Sequence, residues 1–542
     1  MSKHRRWIKG MLAAAFSLTC LVTASSVTAV QAQASSGKGA FAMSYLAFGN
    51  SSTYISQVDK SGQTLDVVSP DFFEINTDGS LQLTGSIDAS FIQNMHNRGK
   101  KVVPFLSNEF DQAIGEKAIQ NREALVNQIV EALQTNQLDG IDLDIENVDA
   151  TYRDAYTEMV KMLRDKLPST MEVSVAVAAN PTGATNSWLA AYDYKALAAV
   201  SNYLMVMAYD ESYPGDATPG PVASLPFVEK SIQYALTQTS PDKIVLGIPF
   251  YGRYWNQNPS ANGLSMTAPT ISKLVDTYKG VVRFDAASQS PVATFTILPT
   301  DAALTSFGQK QGAGDYTVWF ENEQSLKAKL QLVSKYKLKG TGSWSLNQEN
   351  IDTWDYYSLW ADGFYFTDVQ KHWARTDILA AANRGWMLGI AADRFAPDTA
   401  LTRAQAATII VRALGLSGEA ADNASFRDVP ATYWAWQDIR IAKMSGLIQG
   451  ISSDLFAPDQ IMTREQMSVL LSRALQLTSQ SGAAAKSFTD VPAGSWSAEA
   501  IAAMSSHGLV DGFADGTFRP HASLTRAEMA ALLGRAQPLL AK

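Results

Sequence analysis

Between residues 35 and 362 the apolar positions fall into short runs at 41–48, 101–106, 138–145, 172–177, 203–207, 243–248, 316–320 and 342–346. Between several of them the rhythm changes to the three-and-four spacing of an amphipathic helix, as over 121–135 and 155–166. Short apolar runs alternating with helical segments predict parallel strands joined by helical crossovers. About eight strands in a segment of this length predict a (β/α)8 TIM barrel over 37–360. The stretch of about 253–315 is too long for a strand-to-helix loop and has strand-like and helical runs of its own. It predicts a small α+β insertion.

The last third of the chain follows a different, repeating pattern. Phe366-Thr367-Asp368-Val369, Phe426-Arg427-Asp428-Val429 and Phe488-Thr489-Asp490-Val491 each precede a tryptophan, Trp373, Trp434 and Trp496. Later in each unit come Phe395-Ala396-Pro397, Phe456-Ala457-Pro458 and Phe518-Arg519-Pro520. These lead to Thr402-Arg403-Ala404-Gln405, Thr463-Arg464-Glu465-Gln466 and Thr525-Arg526-Ala527-Glu528. The last four-residue group fits a helix capping box, and apolar residues at helical spacing follow it. Each unit therefore predicts a helix–loop–helix of about 60 residues, giving repeats at 364–420, 424–482 and 486–542 in an all-α arrangement.

At the other end, Lys3, Arg5, Arg6 and Lys9 precede an apolar stretch and an Ala32-Gln33-Ala34 cleavage pattern. Residues 1–34 are expected to be a secretory signal peptide. An uncleaved anchor is the alternative, but Ser17, Thr19, Thr23, Ser25 and Ser26 interrupt the run. Composition then narrows the chemistry. The one cysteine is Cys20, inside that signal, so no disulfide scaffold or thiolate metal site is expected. Five histidines are scattered, so no metal centre and no cofactor is expected, and catalysis falls to carboxylates. Losing the four basic residues of the signal takes the net charge from −8 to −12, a poor match for nucleic acid. No membrane span is expected after signal removal.

The carboxylates stand together in Asp139-Gly140-Ile141-Asp142-Leu143-Asp144-Ile145-Glu146. Side chains alternate along a strand, so Asp142, Asp144 and Glu146 share one face and the isoleucines and leucine the other. Like charges so close raise at least one pKa and serve stability poorly. A solvated edge strand or a calcium loop would be the bland explanations. A catalytic row at the C-terminal end of a barrel strand fits the flanking apolar residues better.

This row resembles the signature of glycoside hydrolase family 18, the chitinase-like hydrolases. Met205-Val206-Met207-Ala208-Tyr209-Asp210, Gly247-Ile248-Pro249-Phe250-Tyr251-Gly252-Arg253 and Gly342-Ser343-Trp344-Ser345-Leu346 resemble further strand ends of that family. The resemblance implies that Glu146 is the general acid and later base. It implies a sugar 2-acetamido group as nucleophile, oriented by Asp144, with Asp142 sharing a proton with Asp144. Tyr209 would donate to the acetamido oxygen and Trp344 would stack on the distorted sugar. Asp139, Asn147, Met207, Asp210, Tyr251 and Arg253 are the further substrate-binding candidates. Core roles for Tyr209 and Trp344, and a structural ion pair for Asp210 with Arg253, stay open.

The three repeats resemble S-layer homology domains, which hold secondary cell-wall polysaccharide on Gram-positive surfaces. Arg403, Arg464 and Arg526 stand at helix starts, where they oppose the helix dipole. An anionic ligand would explain them, a solvated surface role being the alternative. Trp373, Trp434 and Trp496 are either core anchors or sugar platforms. Gln405 is a mild departure from the family pattern; the Glu465-Gln466 pair is a larger one and is expected to weaken one of the three sites. Together the resemblances imply an exported, wall-bound glycosidase. It would cleave β-1,4 linkages of N-acetylglucosamine-containing glycan, peptidoglycan or chitin, by substrate-assisted retaining catalysis. The alternatives are a catalytically inactive, lectin-like wall protein and a purely structural surface protein.

Overall fold

The strand carrying the carboxylate row, Gly140–Asp144, is buried along its length and lies parallel to Phe105–Ser107 on one side and Glu172–Ala178 on the other. The computed structural model of the protein describes residues 39–302, 305–306, 309–369, 371–418, 425–478 and 486–540. The expected signal at 1–34, with Cys20, lies outside them. Parallel pairing continues through Tyr203–Met207, Ile244–Pro249, Gly340–Trp344 and Phe41–Leu46 to Val67–Pro70 and Lys101–Val102. The sheet curls into a TIM-like α/β barrel architecture. Two of its strand positions are broken, Val67–Pro70 resuming as Phe73–Ile75 and Lys101–Val102 as Phe105–Ser107, and the resumed pieces pair with each other. A proline lies at each break, Pro70 and Pro104, and cannot donate to a ladder.

Those breaks explain the main error of the strand reading. Residues 67–75 form a barrel strand that the interrupted apolar run concealed. Residues 316–320 belong elsewhere: Gly314–Trp319 lies in an antiparallel five-stranded sheet, between Tyr251–Trp255 and Ser290–Ile297. Its residues alternate between covered and open faces, unlike the fully buried barrel strands. The insertion runs from the first to the last of these strands, residues 251–319, and packs its own core around Tyr254, Ile271, Leu274, Phe295 and Tyr316.

Gly140 is required at the start of the carboxylate strand. A Cβ there would lie 2.2 Å from the Glu172 carbonyl oxygen of the neighbouring strand.

In the repeats, helices Arg403–Ala413 and Arg464–Ala474 start with complete capping boxes, Thr402 with Gln405 and Thr463 with Gln466. Thr525 and Glu528 exchange the same two bonds at the head of Arg526–Leu540. Arg375–Asn383 packs on Arg526–Leu540, Trp436–Met444 on Arg403–Ala413, and Ala498–Ser506 on Arg464–Ala474. Each capped helix thus leans on the first helix of the next repeat, and the three close into a ring around one core. Asp368, Asp428 and Asp490 each accept two backbone N–H groups from the F-x-P turn of their own repeat.

The barrel and the ring meet without a spacer. Helix Thr353–Ala361 packs both on Glu323–Tyr336 of the barrel and on Arg375–Asn383 of the first repeat. The Asn383 amide accepts from Ser358 Oγ at 2.7 Å and donates to the Trp354 and Asp355 carbonyls. Arg375 and Lys327 both pair with Glu323, at 2.8 and 2.6 Å. No helix of the described residues is long and apolar enough to cross a membrane.

Candidate active site

Asp142, Asp144 and Glu146 project from one face at the C-terminal end of their strand, while Ile141, Leu143 and Ile145 are fully buried on the other. Asp142 is fixed from two strands, the neighbouring Glu172–Ala178 and the non-adjacent Phe41–Leu46. Tyr45 Oη donates to its Oδ2 at 2.7 Å and Ser174 Oγ to its Oδ1 at 2.5 Å. Among the described residues no hydrogen bond links Asp142 to Asp144, the pair expected to share a proton. Burial raises the Asp142 pKa, and the two hydroxyls partly offset this.

Asp144 is buried, and its Oδ1 has no hydrogen-bond partner. Burial, followed by the charges of Glu146, Asp142 and Glu109, raises its pKa well above the usual carboxylate range. Such an orphaned oxygen is costly unless a ligand N–H meets it or it takes up a proton. Glu146 is half-buried, and burial, then Asp210 and Glu109, push its carboxyl up to about 7. It is therefore a carboxyl that still holds a proton near neutrality.

Around this pair stand Tyr209 and Trp344, both half-buried. Burial raises the Tyr209 pKa well above its ordinary value, so its hydroxyl stays a donor. Gly247 makes room for it: a Cβ there would sit 3.0 Å from the Tyr209 ring. The Trp344 ring packs 5.1 Å from Tyr45 and 6.0 Å from Phe105, at the mouth of the barrel. Met207 ends its strand and is almost buried. Asp210, half-exposed, accepts from Tyr251 Oη and pairs with the buried Arg253 at 2.5 Å. The ion pair foreseen as an alternative exists, and it lies beside Glu146 rather than apart from it.

Two candidates do something other than expected. Asp139 lies at the opposite end of the strand, where it pairs with His96 Nε2 at 2.8 Å and accepts the Val102 N–H. Seven residues at about 3.3 Å each separate it from Glu146, so it cannot join the site. The same contact ties down His96. Asn147 turns its amide to the Phe110 carbonyl at 3.1 Å.

Sequence reasoning missed Tyr45, Ser174 and Asn108. Ser174 is a lone hydroxyl in the apolar strand Glu172–Ala178, a signal that could have flagged it. Asn108 gives no such sign, because its role is to clamp the Glu146 backbone. Its Oδ1 accepts the Glu146 N–H at 2.8 Å and its Nδ2 donates to the Glu146 carbonyl at 2.9 Å. Among the described residues no cluster of three or more His, Cys, Asp or Glu is placed to hold a metal ion.

In the repeats the arginines are not solvated. Arg403 and Arg526 are 9% and 5% exposed, and each reaches into the following repeat. Arg403 donates to the Phe456 and Gln449 carbonyls, Arg526 to Phe395 and Leu388, and Arg464 to Phe518. Each also stacks on the phenylalanine concerned, at 4.4–4.8 Å. The tryptophans are the reverse of core anchors: Trp373, Trp434 and Trp496 are 66%, 44% and 63% exposed.

The sequence matches the family described as glycosyl hydrolases family 18 over residues 44–349, and S-layer homology domains over 365–407, 425–468 and 487–530. It is 30% identical to the Bacillus subtilis protein YdhD over 227 residues, 42% of this chain and 51% of that protein. It is 28% identical to the Bacillus subtilis cortical fragment-lytic enzyme, over 43% of this chain and 52% of that enzyme. The chain thus spans about half the length of these two relatives. Among solved structures, a chitinase from Chromobacterium violaceum superposes with a TM-score of 0.52 at 26% identity, over 58% of this chain and 96% of that one.

Proposed function

We propose, from the premise that the chain belongs to glycosyl hydrolases family 18, that it cleaves β-1,4 linkages beside N-acetylglucosamine while its S-layer homology repeats hold it on the cell wall. The single observation that carries this is the pairing of Glu146, whose carboxyl is pushed up to about 7, with the buried, unpartnered Oδ1 of Asp144. Glu146 protonates the glycosidic oxygen and then, as carboxylate, activates water. The substrate's own 2-acetamido carbonyl closes on the anomeric carbon in between. Asp144 meets the acetamido N–H, Tyr209 donates to its oxygen, and Trp344 floors the sugar. Asp142 stays fixed between Tyr45 and Ser174 and holds the strand's charge in place.

The substrate reading we favour is peptidoglycan. Two observations support it: the wall-binding repeats, and similarity to an enzyme named for cortical fragment lysis. Similarity to a chitinase keeps chitin as the second substrate. Residues 1–34 act as an export signal in this reading, and 37–360 bound the catalytic part. Release of reducing ends from purified peptidoglycan, side by side with chitin oligomers, tests it. Turnover of peptidoglycan supports the reading, turnover of chitin alone moves the substrate, and binding without turnover of either points to the inactive, lectin-like alternative.

Two results follow from the geometry. Wild-type kcat/KM is expected to fall tenfold per pH unit above about pH 7, because the acid form of Glu146 is lost there. A flat profile from pH 7 to 9 would contradict the assignment. Asn108→Ala is expected to lower kcat about tenfold with KM little changed, since it frees the backbone that aims Glu146. Asn108→Ala activity equal to wild type would show that the clamp does not position the acid.

A further inference from the structure

The turn that carries Asn108 holds a further carboxylate at the mouth of the barrel. Ser107 pairs in register with Asp144, so two residues further on Glu109 comes level with Glu146. Bonds on either side of that position keep the two strand ends abreast. Asn108 clamps the Glu146 backbone, and the Phe110 carbonyl accepts from Asn147 Nδ2. Glu109 and Phe110 both adopt left-handed backbone, with φ of 51° and 61°, where glycine would be at ease. Such a conformation lasts only where its surroundings impose it. Here the Glu109 N–H donates to Ser107 Oγ at 2.9 Å and Asn108 Nδ2 donates to the Asp111 carbonyl at 2.7 Å. The Phe110 ring meets Trp188 edge-on at 5.5 Å.

The turn therefore fixes a side chain that the catalytic steps leave unused. Glu109 is exposed, and among the described residues its carboxylate has no hydrogen bond and no ion pair. Arg253, the cation of the site, is buried and committed to Asp210 and the Gly263 carbonyl. Burial is the main reason that the carboxyls of Asp71, Asp144 and Glu146 are raised, and the charge of Glu109 raises all three further.

The bond that Glu146 protonates ends on O4 of the leaving sugar, and C3 is the next carbon of that ring. In a chitin oligomer C3 carries a hydroxyl. In peptidoglycan cut beside N-acetylglucosamine the leaving sugar is N-acetylmuramic acid, whose C3 carries a lactyl ether. The lactyl carboxyl is an amide where a peptide is attached and a free carboxylate where the peptide has been removed. We propose that Glu109 is a specificity-determining residue that reads this difference. It rejects a leaving sugar with a free lactyl carboxylate and admits one whose lactyl group is amide-linked or absent. Two carboxylates set side by side repel, whereas an amide N–H can donate to Glu109. The inference rests on the reading that the chain cleaves peptidoglycan beside N-acetylglucosamine.

The test uses the full-length protein and one soluble glycan in two forms. Peptidoglycan strands freed of peptide by an amidase carry free lactyl carboxylates, and coupling the same strands to methylamine turns these into neutral amides. N-acetylglucosamine oligomers are the neutral reference. All are assayed at about pH 6, where Glu146 holds its proton. Wild type is expected to cleave the amide form with kcat/KM about tenfold above the free-acid form, the size of one like-charge contact at a protein surface. Added salt is expected to narrow the gap. Glu109→Gln is expected to close it by speeding the free-acid form, with the oligomers cleaved as by wild type, and Glu109→Lys to reverse it. Equal rates on the two forms by wild type, or a gap that survives in Glu109→Gln, overturns the proposal. Cleavage of the oligomers but of neither strand form overturns it too, and leaves the chain a hydrolase of chitin. Cleavage of none of the three is the failure of the proposed function itself.

Discussion

Glu146→Gln is expected to lower kcat on N-acetylglucosamine oligosaccharides at least about 1,000-fold while leaving their binding intact. The amide keeps the shape and the Asn108 clamp on the backbone, and removes only the proton that the leaving oxygen needs. A second measurement separates lost chemistry from lost structure. The folded carboxyl holds its proton up to about pH 7, against an ordinary value of 4.5. Between those values the folded state binds more protons than the unfolded chain, so stability falls as pH rises through this window. Above pH 7 the full cost of about 3 kcal/mol is present. Glutamine has no proton to lose there, so the inactive variant is expected to melt at higher temperature than wild type at pH 8 and with it at pH 4. Retained turnover would remove Glu146 from the mechanism, and a lower melting temperature at pH 8 would mean that the side chain is structural.

Asp144→Asn is expected to cost about 100- to 1,000-fold in kcat. Its Oδ1 is buried with nothing to bond to, next to two other carboxylates. Such an arrangement opposes stability and is explained by a group that arrives with the substrate. A carboxylate there accepts the acetamido N–H and stabilises the positive charge that develops as the acetamido oxygen attacks. Asparagine can accept the same bond but offers no charge. The loss should therefore fall on kcat rather than KM, and an increase in KM alone would show that Asp144 merely binds.

The local rules that govern each element explain what could be read from the chain. Alternation on Gly140–Asp144 foretold which carboxylates face together, because a strand's period is independent of its neighbours. Capping boxes at Thr402 and Thr463 were legible for the same reason. What was hidden depends on partners distant in sequence. Tyr45 reaches Asp142 across 97 residues, and Asn108 reaches Glu146 across 38. A solvated Arg403 stayed open as an alternative because its neighbours in sequence do not bury it, whereas Phe456 of the next repeat does. Asp139 was a substrate-binding candidate by adjacency to the row, but distance along a strand separates the two ends of a barrel.

The junction between barrel and repeats has a mechanical consequence. Residues 362–366 are all that separate the last barrel helix from the first element of the repeats, and Asn383 and Glu323 lock the two together. Flexible tethers let a bound enzyme sweep a volume and raise its local substrate concentration. This attachment has no slack to sweep with. Once the ring is seated, the mouth of the barrel keeps one bearing to the surface beneath it. Under the proposed function, only glycan strands that thread past that fixed opening would be cut, so the pattern of cleavage would follow the layout of the anchored molecules, as the spacing of teeth follows the comb.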